Sequence, residues 1–270
     1  MHDLLLLRKW ILGISPLPSP YSWIAADVNN TQGITTFDLV LIHQQIIGTS
    51  GFASNVPSWR FIDADYVIPA GDPLQDPLPE SITINNLAGC VSDADFIGVK
   101  MGDVSMCSET IHPAFVTVSA SHETTIVGNT TKVKFTLDDF TDVTTMQFSM
   151  AWDPTQTTFN QITYTNGNPL NLNIANFGQN QINSGILNFA WLENTALGIN
   201  LSNGTSIFEL EFTTSTTGTF PIMITGNPVP KEISDNNCMA YDLNSSNGSC
   251  LLYTSPSPRD ATLSRMPSSA

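Results

Sequence analysis

The feature that most constrains this chain is a repeat. "HDLLLLRKWILGIS" from His2 lies over "FDLVLIHQQIIGTS" from Phe37 at a constant offset of 35 residues, matching Asp3 with Asp38, Gly13 with Gly48 and Ser15 with Ser50. Leu4, Leu6, Leu7 and Ile11 meet Leu39, Leu41, Ile42 and Ile46, so both copies carry apolar residues at helical spacing. The two glycines stand where a helix stops, because glycine adopts the left-handed cap at no steric cost. A unit of this length cannot bury its apolar face alone, so the copies are expected to pack on each other.

Ahead of the second copy, oxygen recurs at alternating positions: Asp27, Asn29, Thr31, the Gly33 carbonyl, Thr35 directly or through water, and Asp38 at the twelfth place. A hard cation takes about six to eight oxygens from a loop that curls around it, and this is the rhythm of an EF-hand calcium loop. Ile34, at the eighth place, would tie two such loops together. Asp38 at the helix start also suits the positive end of the helix dipole. The competing reading makes Asp27 and Asp38 ordinary turn and N-cap residues. The duplicated helix favours the cation loop.

These residues resemble the type I dockerin family, whose members carry two calcium-loop and helix repeats. The resemblance rests on "DVNNTQGITTFDLVLIHQQIIG" from Asp27 and the clipped "HDLLLLRKWILG" from His2. It implies Ca2+ as the cofactor and a helical docking surface that includes Phe37, Val40, His43 and Gln44. Three departures stand out. The first loop is missing apart from Asp3; Gln32 holds the sixth place, where such loops prefer glycine, with Gly33 one position late; and Asn29 and Thr31 are neutral ligands, which weakens binding. Further on, "SWRFIDADYVIP" echoes "SWIAADVNN", and "SDADFIGVKMGDVS" adds another acidic pair. Asp63, Asp65, Asp93, Asp95 and Asp103 are therefore candidates for a second metal site, or else turn residues that satisfy nearby backbone amides. The "VKMGDV" phrase resembles the end of this module in Bacteroidetes-type surface proteins, which extends the module over residues 1–108.

From Phe115 the period changes. "FVTVSA", "KVKFTL", "MQFSMAW", "GILNFAWL", "SIFELEFT" and "FPIMIT" alternate apolar with polar residues and are separated by Gly, Asn, Asp and Thr clusters, which reads as a β-sandwich. "VGNTTKVKFTLDDFTDVTTMQFSMAWDP", "NSGILNFAWL" and "LSNGTSIFELEFTT" follow in an order that resembles the cohesin and carbohydrate-binding-module superfamily. That resemblance implies recognition of a protein or a glycan. Trp152 and Trp191 are the candidate glycan-stacking residues, with core positions as the alternative.

The expected fold class is α+β and multidomain: a small calcium-loop and helix, dockerin-like module over 1–108, a linker at 109–114, an all-β cohesin-like sandwich over 115–250, and a non-native or disordered tail over 251–270 that resembles translated adapter sequence. On that reading the protein continues beyond both ends.

Charge narrows the partners. Twenty-four acidic residues against 9 basic give a net charge of −15, leaving no cation reserve for phosphates and arguing against nucleic acid. No apolar run reaches the roughly 18 residues that cross a bilayer. Cys90 with Cys107, and Cys238 with Cys250, form sequence-local pairs that an oxidising compartment would allow to close. No nucleophile, zinc-protease or phosphate-loop motif occurs, so the chain is expected not to be an enzyme. The expected function is a calcium-stabilised, non-catalytic interaction module, secreted or on the cell surface, whose partner is a cohesin-like or dockerin-like module. The alternatives are a carbohydrate-binding accessory module that contacts polysaccharide, and a structural adhesin segment.

Overall fold

The computed structural model describes residues 1–52, 56–69, 71–75, 77–86, 89–92, 94–105, 115–123, 130–214, 219–237 and 239–251. The expected linker lies outside them, as do Cys107, Cys238 and the tail beyond Leu251. Cys90 is exposed, with its thiol free.

Three short helices come first: α1 (His2–Ile11), α2 (Pro20–Ala26) and α3 (Thr36–Ile47). The outer two are the repeat copies, and they end alike. Gly13 and Gly48 hold φ of +71° and +75°, and the residue after each bonds back five positions, Ile14 to the Lys9 carbonyl at 2.8 Å and Thr49 to that of Gln44 at 3.0 Å. The duplication therefore extends to the backbone. Helix α2, which the repeat does not announce, starts where Ser19 accepts from the Ser22 N–H at 3.2 Å and Pro20 takes the first helical position, where its missing N–H costs nothing.

Strands β1 (Trp59–Asp63) and β2 (Phe96–Lys100) form an antiparallel pair. Ile62 and Val99 point inward and are fully buried with Ile24 and Ala25 of α2, which fixes this small sheet beneath the helices.

The remaining strands make a sandwich. One sheet has the order β13 (Asn244–Ser246), β3 (Thr117–Glu123), β4 (Thr130–Asp138), β9 (Thr205–Thr214), β6 (Thr157–Tyr164). The other is built round β5 (Val143–Ala151), which pairs with β8 (Ile186–Leu192) on one side and with β10 (Thr219–Thr225) and β11 (Glu232–Asp235) on the other. Strands β7 (Phe177–Gly178), β12 (Ala240–Asp242) and β14 (Gly248–Leu251) extend it. Phe135, Phe148, Phe189, Phe208 and Phe212 fill the space between the sheets. Among the described residues the architecture is a mostly β sandwich with three short helices.

Strand β5 shows how the two parts meet. In β4 burial alternates, as it should for a sheet with one wet face, whereas β5 is buried at eight consecutive positions from Val143 to Met150. Met146, Phe148 and Met150 point into the sandwich core. Thr145, Gln147 and Ser149 point the other way and are buried too, because α1 and α3 lie across that outer face. Ala190 and the partly buried Leu192 of β8 pack in one cluster with Leu4, Leu7, Ile42 and Ile47. The helices are thus seated on the sheet rather than held apart from it.

The seat is closest at Gly178, where a Cβ would fall inside the Ile47 carbonyl. Gly178→Ala is expected to destabilise the chain by about 1–3 kcal/mol in urea unfolding, by forcing α3 away from the sheet. Gly33→Ala, which meets nothing within 4 Å and has no positive φ, should stay within about 0.5 kcal/mol.

Candidate interaction and cation site

The loop between α2 and α3 is shaped by its own oxygens. The Asp27 carboxylate, 2% exposed, accepts from the N–H of Thr31 at 3.0 Å and of Gln32 at 2.9 Å, which curls the chain back over it. The Thr31 hydroxyl donates to Asn29 Oδ1 at 2.6 Å and reaches the Gly33 carbonyl at 3.3 Å, so the oxygens at these three alternating places share one side of the turn. The sharp bend falls at Gln32 itself, with φ of +61°, and does not slip to Gly33. A side chain here carries strain that glycine would relieve.

Asp38 closes the loop from α3. Thr35 is the N-cap and Asp38 sits three residues in, its Oδ2 accepting from the Thr35 N–H at 2.9 Å and hydroxyl at 3.0 Å in a capping box. Thr35 Oγ1 also accepts from the Phe37 N–H at 3.2 Å. The other oxygen, Asp38 Oδ1, is buried without a hydrogen-bond partner. Burial pushes the Asp38 carboxyl above its ordinary value, against the pull of the two Thr35 donors and the Asn29 N–H, and the nearby Asp27 charge pushes the same way as burial. A desolvated carboxylate beside a second one, with an unused oxygen and three more oxygens on the adjoining turn, has the donor chemistry of a hard-cation loop. Asp27, Asn29, Thr31, Gly33 and Asp38 therefore fit a calcium ion, while the Thr35 hydroxyl is engaged in capping.

The second acidic group is not gathered. Asp63 caps its own turn, accepting from the Asp65 N–H at 3.0 Å, and Asp65 is exposed. Asp95 lies at that end of the β1–β2 pair, its carbonyl accepting from Ala64. Asp103 lies beyond the opposite end, where Trp59 faces Lys100, and accepts from the Ser105 hydroxyl at 3.2 Å. Asp93 lies outside the described residues. Among the described residues no three His, Cys, Asp or Glu side chains are placed to hold a metal, and of these carboxylates Asp63 accepts from a backbone amide while Asp103 accepts from a hydroxyl.

The expected docking residues divide. Phe37 and Val40 are exposed at 57% and 44%, but His43 is half-buried against the sandwich, its Nε2 lying 3.4 Å from the Ala190 carbonyl. His43 is thus no solvent-facing residue, as an outward polar position on an amphipathic helix suggests. Gln44 accepts from Ser50 through its side chain and from Thr49 through its carbonyl. Val40, His43 and Gln44 line one wall of a groove of about 530 Å³, with Ile174, Phe177 and Leu192 on the other. Trp152 and Trp191 are core residues and cannot stack on a sugar. Trp152 packs against Phe159 and Phe212, and Trp191, 4% exposed, donates its indole N–H to the Leu170 carbonyl at 2.8 Å.

The sandwich meets the helices with hydrogen bonds that the sequence did not reveal. Asn188 donates to the Ile47 carbonyl at 3.1 Å, and Asn180 donates to those of Gly48 at 2.8 Å and Thr49 at 3.2 Å. Arg8 donates to the Glu193 carbonyl at 3.1 Å and Lys9 to that of Asn236 at 2.6 Å. The only advance signal was Asn188, on a strand otherwise made of apolar side chains.

Two measurements follow. Gln32→Gly should raise stability by about 1 kcal/mol in urea unfolding, by removing left-handed strain. Burial holds the His43 and His2 imidazoles below the ordinary value of 6.5, so the unfolded chain binds more protons in that range. The urea midpoint should therefore fall between about pH 7.5 and 5.5, and His43→Gln should flatten part of that slope.

Comparison with known proteins places the sandwich. Residues 116–238 match the family model described as Cohesin domain. No curated protein matches the chain. Among solved structures the chain is similar to the seventh ScaB type I cohesin from Pseudobacteroides cellulosolvens, at 16% identity over 53% of this chain and 96% of that one, with a TM-score of 0.43. It is similar to CaCohA2 from Clostridium acetobutylicum, at 17% over 52% and 92%, TM-score 0.42. It is also similar to a non-cellulosomal cohesin from the archaeon Archaeoglobus fulgidus, at 13% over 56% and 99%, TM-score 0.39. The family match thus supports a cohesin domain over residues 116–238, with helices α1, α2 and α3 lying outside it.

Proposed function

We propose that this chain is a calcium-stabilised, non-catalytic protein–protein interaction unit of the dockerin and cohesin type, acting outside the cell, with its own dockerin-like helices seated on its cohesin sandwich. The observation that carries this reading is the seat itself. A loop-and-helix repeat covers the outer face of β5 and β8, and side chains of the sandwich bond the carbonyls at the end of α3. Similar cohesins from Clostridium acetobutylicum and Clostridium thermocellum are described in complexes with dockerins, which suggests the partner class for this chain as well.

Calcium would supply fixed positive charge between carboxylates. Asp27 and Asp38 would hold it, with Asn29, Thr31 and the Gly33 carbonyl completing the set. Asp38 also fixes the entry of α3 through the Thr35 cap, so the loop and the docked helix are one device. With only two carboxylates the affinity belongs at the weak, extracellular end, about 10⁻⁴–10⁻³ M. In trans, the partner surface left by this arrangement is the groove beside Phe37 and Val40. Trp152 and Trp191 lend no support to a glycan function, since both are buried.

The test is a stability crossover. With chelator, Asp38→Asn should be as stable as the unmodified chain or more so at neutral pH, because it removes a buried charge while keeping an acceptor for the Thr35 N–H. With calcium at about 100 times its dissociation constant, the unmodified chain should gain about 2.7 kcal/mol and the variant should not. Equal response of both to calcium would contradict the loop assignment. Retention on immobilised cohesin or dockerin modules, weakened by Val40→Asp, tests the interaction role.

A further inference from the structure

The β1–β2 pair carries an aromatic face apart from both the groove and the cation loop. Its inner side chains, Ile62 and Val99, are fully buried against α2. Its outer side carries Trp59, Phe61 and Phe96, exposed at 49%, 53% and 41%. The register sets Trp59 opposite Lys100, Phe61 opposite Gly98 and Phe96 opposite Asp63, so the three rings lie along one strip. That strip spans four residue steps, about 14 Å.

Gly98 decides the shape of this face. A Cβ there would lie 3.6 Å from carbons of both the Phe61 and Trp59 rings, which means that both rings lean over the bare backbone of β2. A Cβ at position 98 would sit in ordinary van der Waals contact with both rings, and a longer side chain would rise between them. The small sheet is itself anchored from below, so the rings are presented on a fixed support.

Size and charge select the occupant. Side chains of this kind bury about 150–250 Å² each, and with roughly half of each exposed the strip offers about 300 Å². A stable protein interface needs about 800 Å² per partner, so a second copy of the chain or another folded protein is underserved here. The border carries both signs, Lys100 at one end and Asp63 and Asp65 at the other, and Arg60 is paired with Glu80. The whole chain carries −15, which repels polyanions. What remains is a narrow, uncharged ligand with a flat C–H face and hydroxyls at its edges.

We propose that the outward face of β1 and β2 is a binding platform for an uncharged polysaccharide, with Trp59, Phe61 and Phe96 stacking on the C–H faces of successive pyranose rings. The C–H edges meet the negative faces of the aromatic rings, and the polar border takes the hydroxyls. This site is separate from the buried Trp152 and Trp191, and it does not depend on the calcium loop.

The experiment is native affinity electrophoresis of the full chain in gels containing soluble β-glucan, galactomannan or α-glucan, with sedimentation velocity alongside. Retardation is expected with at least one polymer, and Trp59→Ala with Phe61→Ala should abolish it. Gly98→Gln, which keeps the aromatics and the extended backbone but places a side chain between the rings, should abolish it too while leaving the melting temperature near that of the unmodified chain. Unchanged mobility with all three polymers overturns the proposal, as does retardation that survives Gly98→Gln. A dimer that dissociates on Trp59→Ala would show a second copy on this face and overturn it equally.

Discussion

The arrangement depends on how the end of one helix is finished. The last carbonyls of any helix lack partners within it, and here those of Ile47, Gly48 and Thr49 are taken by Asn188 and Asn180 of the sandwich. This is helix capping carried out across two parts of the chain. It is possible only because Gly178 has no Cβ to hold α3 off the sheet. Given that contact, the outer face of β5 and β8 need not be apolar to be buried. Ser149 bonds Asn188 at 2.9 Å, which in turn donates to the Ile47 carbonyl, whereas the Thr145 hydroxyl on the same face is buried without a partner.

The cation loop is closed from its own side. Asp38 is fully buried with Thr35, Asn29 and Asp27 of its own loop around it, and its Oδ1 is left without a hydrogen-bond partner. An exposed loop with the same residues would hydrate that oxygen at little cost. In the first repeat copy the corresponding carboxylate, Asp3, accepts from the Ser105 N–H at 3.0 Å. Asp103-Val104-Ser105 thus stands towards α1 as Asp27-Val28-Asn29 stands towards α3, and Val28 and Val104 are both fully buried in one cluster. The carboxylate leading each helix faces an Asp-Val-x segment, one adjacent in sequence and one about a hundred residues away.

Much of this was legible from local pattern. The offset between the copies, the glycine stops and the alternating oxygens all correspond to observed backbone features, because each is set by neighbours within a few residues. Strands β3, β4, β5, β8, β9 and β10 were legible from alternation for the same reason, whereas β1, β2, β6 and β11 were not. What local pattern could not supply was the other side of each contact. His43 looked solvent-facing because the polar face of a helix reads the same whether it meets water or a polar sheet. Asp103 was grouped with Asp95 by proximity in sequence, whereas its surroundings come from the far end of the hairpin and from α1. Trp59 was seen only as an echo of Trp23, and its exposure follows from pairing with β2 across a long stretch of intervening chain. Helix α2 was the avoidable omission, since Ser19 before Pro20 is a helix-start signal in its own right.

The central claim is that the helices and the sandwich are one folded unit joined at the end of α3. Residue-resolved hydrogen exchange, followed as urea is raised, reads this most directly. The account predicts that the core amides of α1 and α3 open with the same free energy and the same urea dependence as those of β5 and β8. Exchange of α3 through a separate, lower-energy opening, with β8 still fully protected, would show the helices to be loosely tethered and would contradict it.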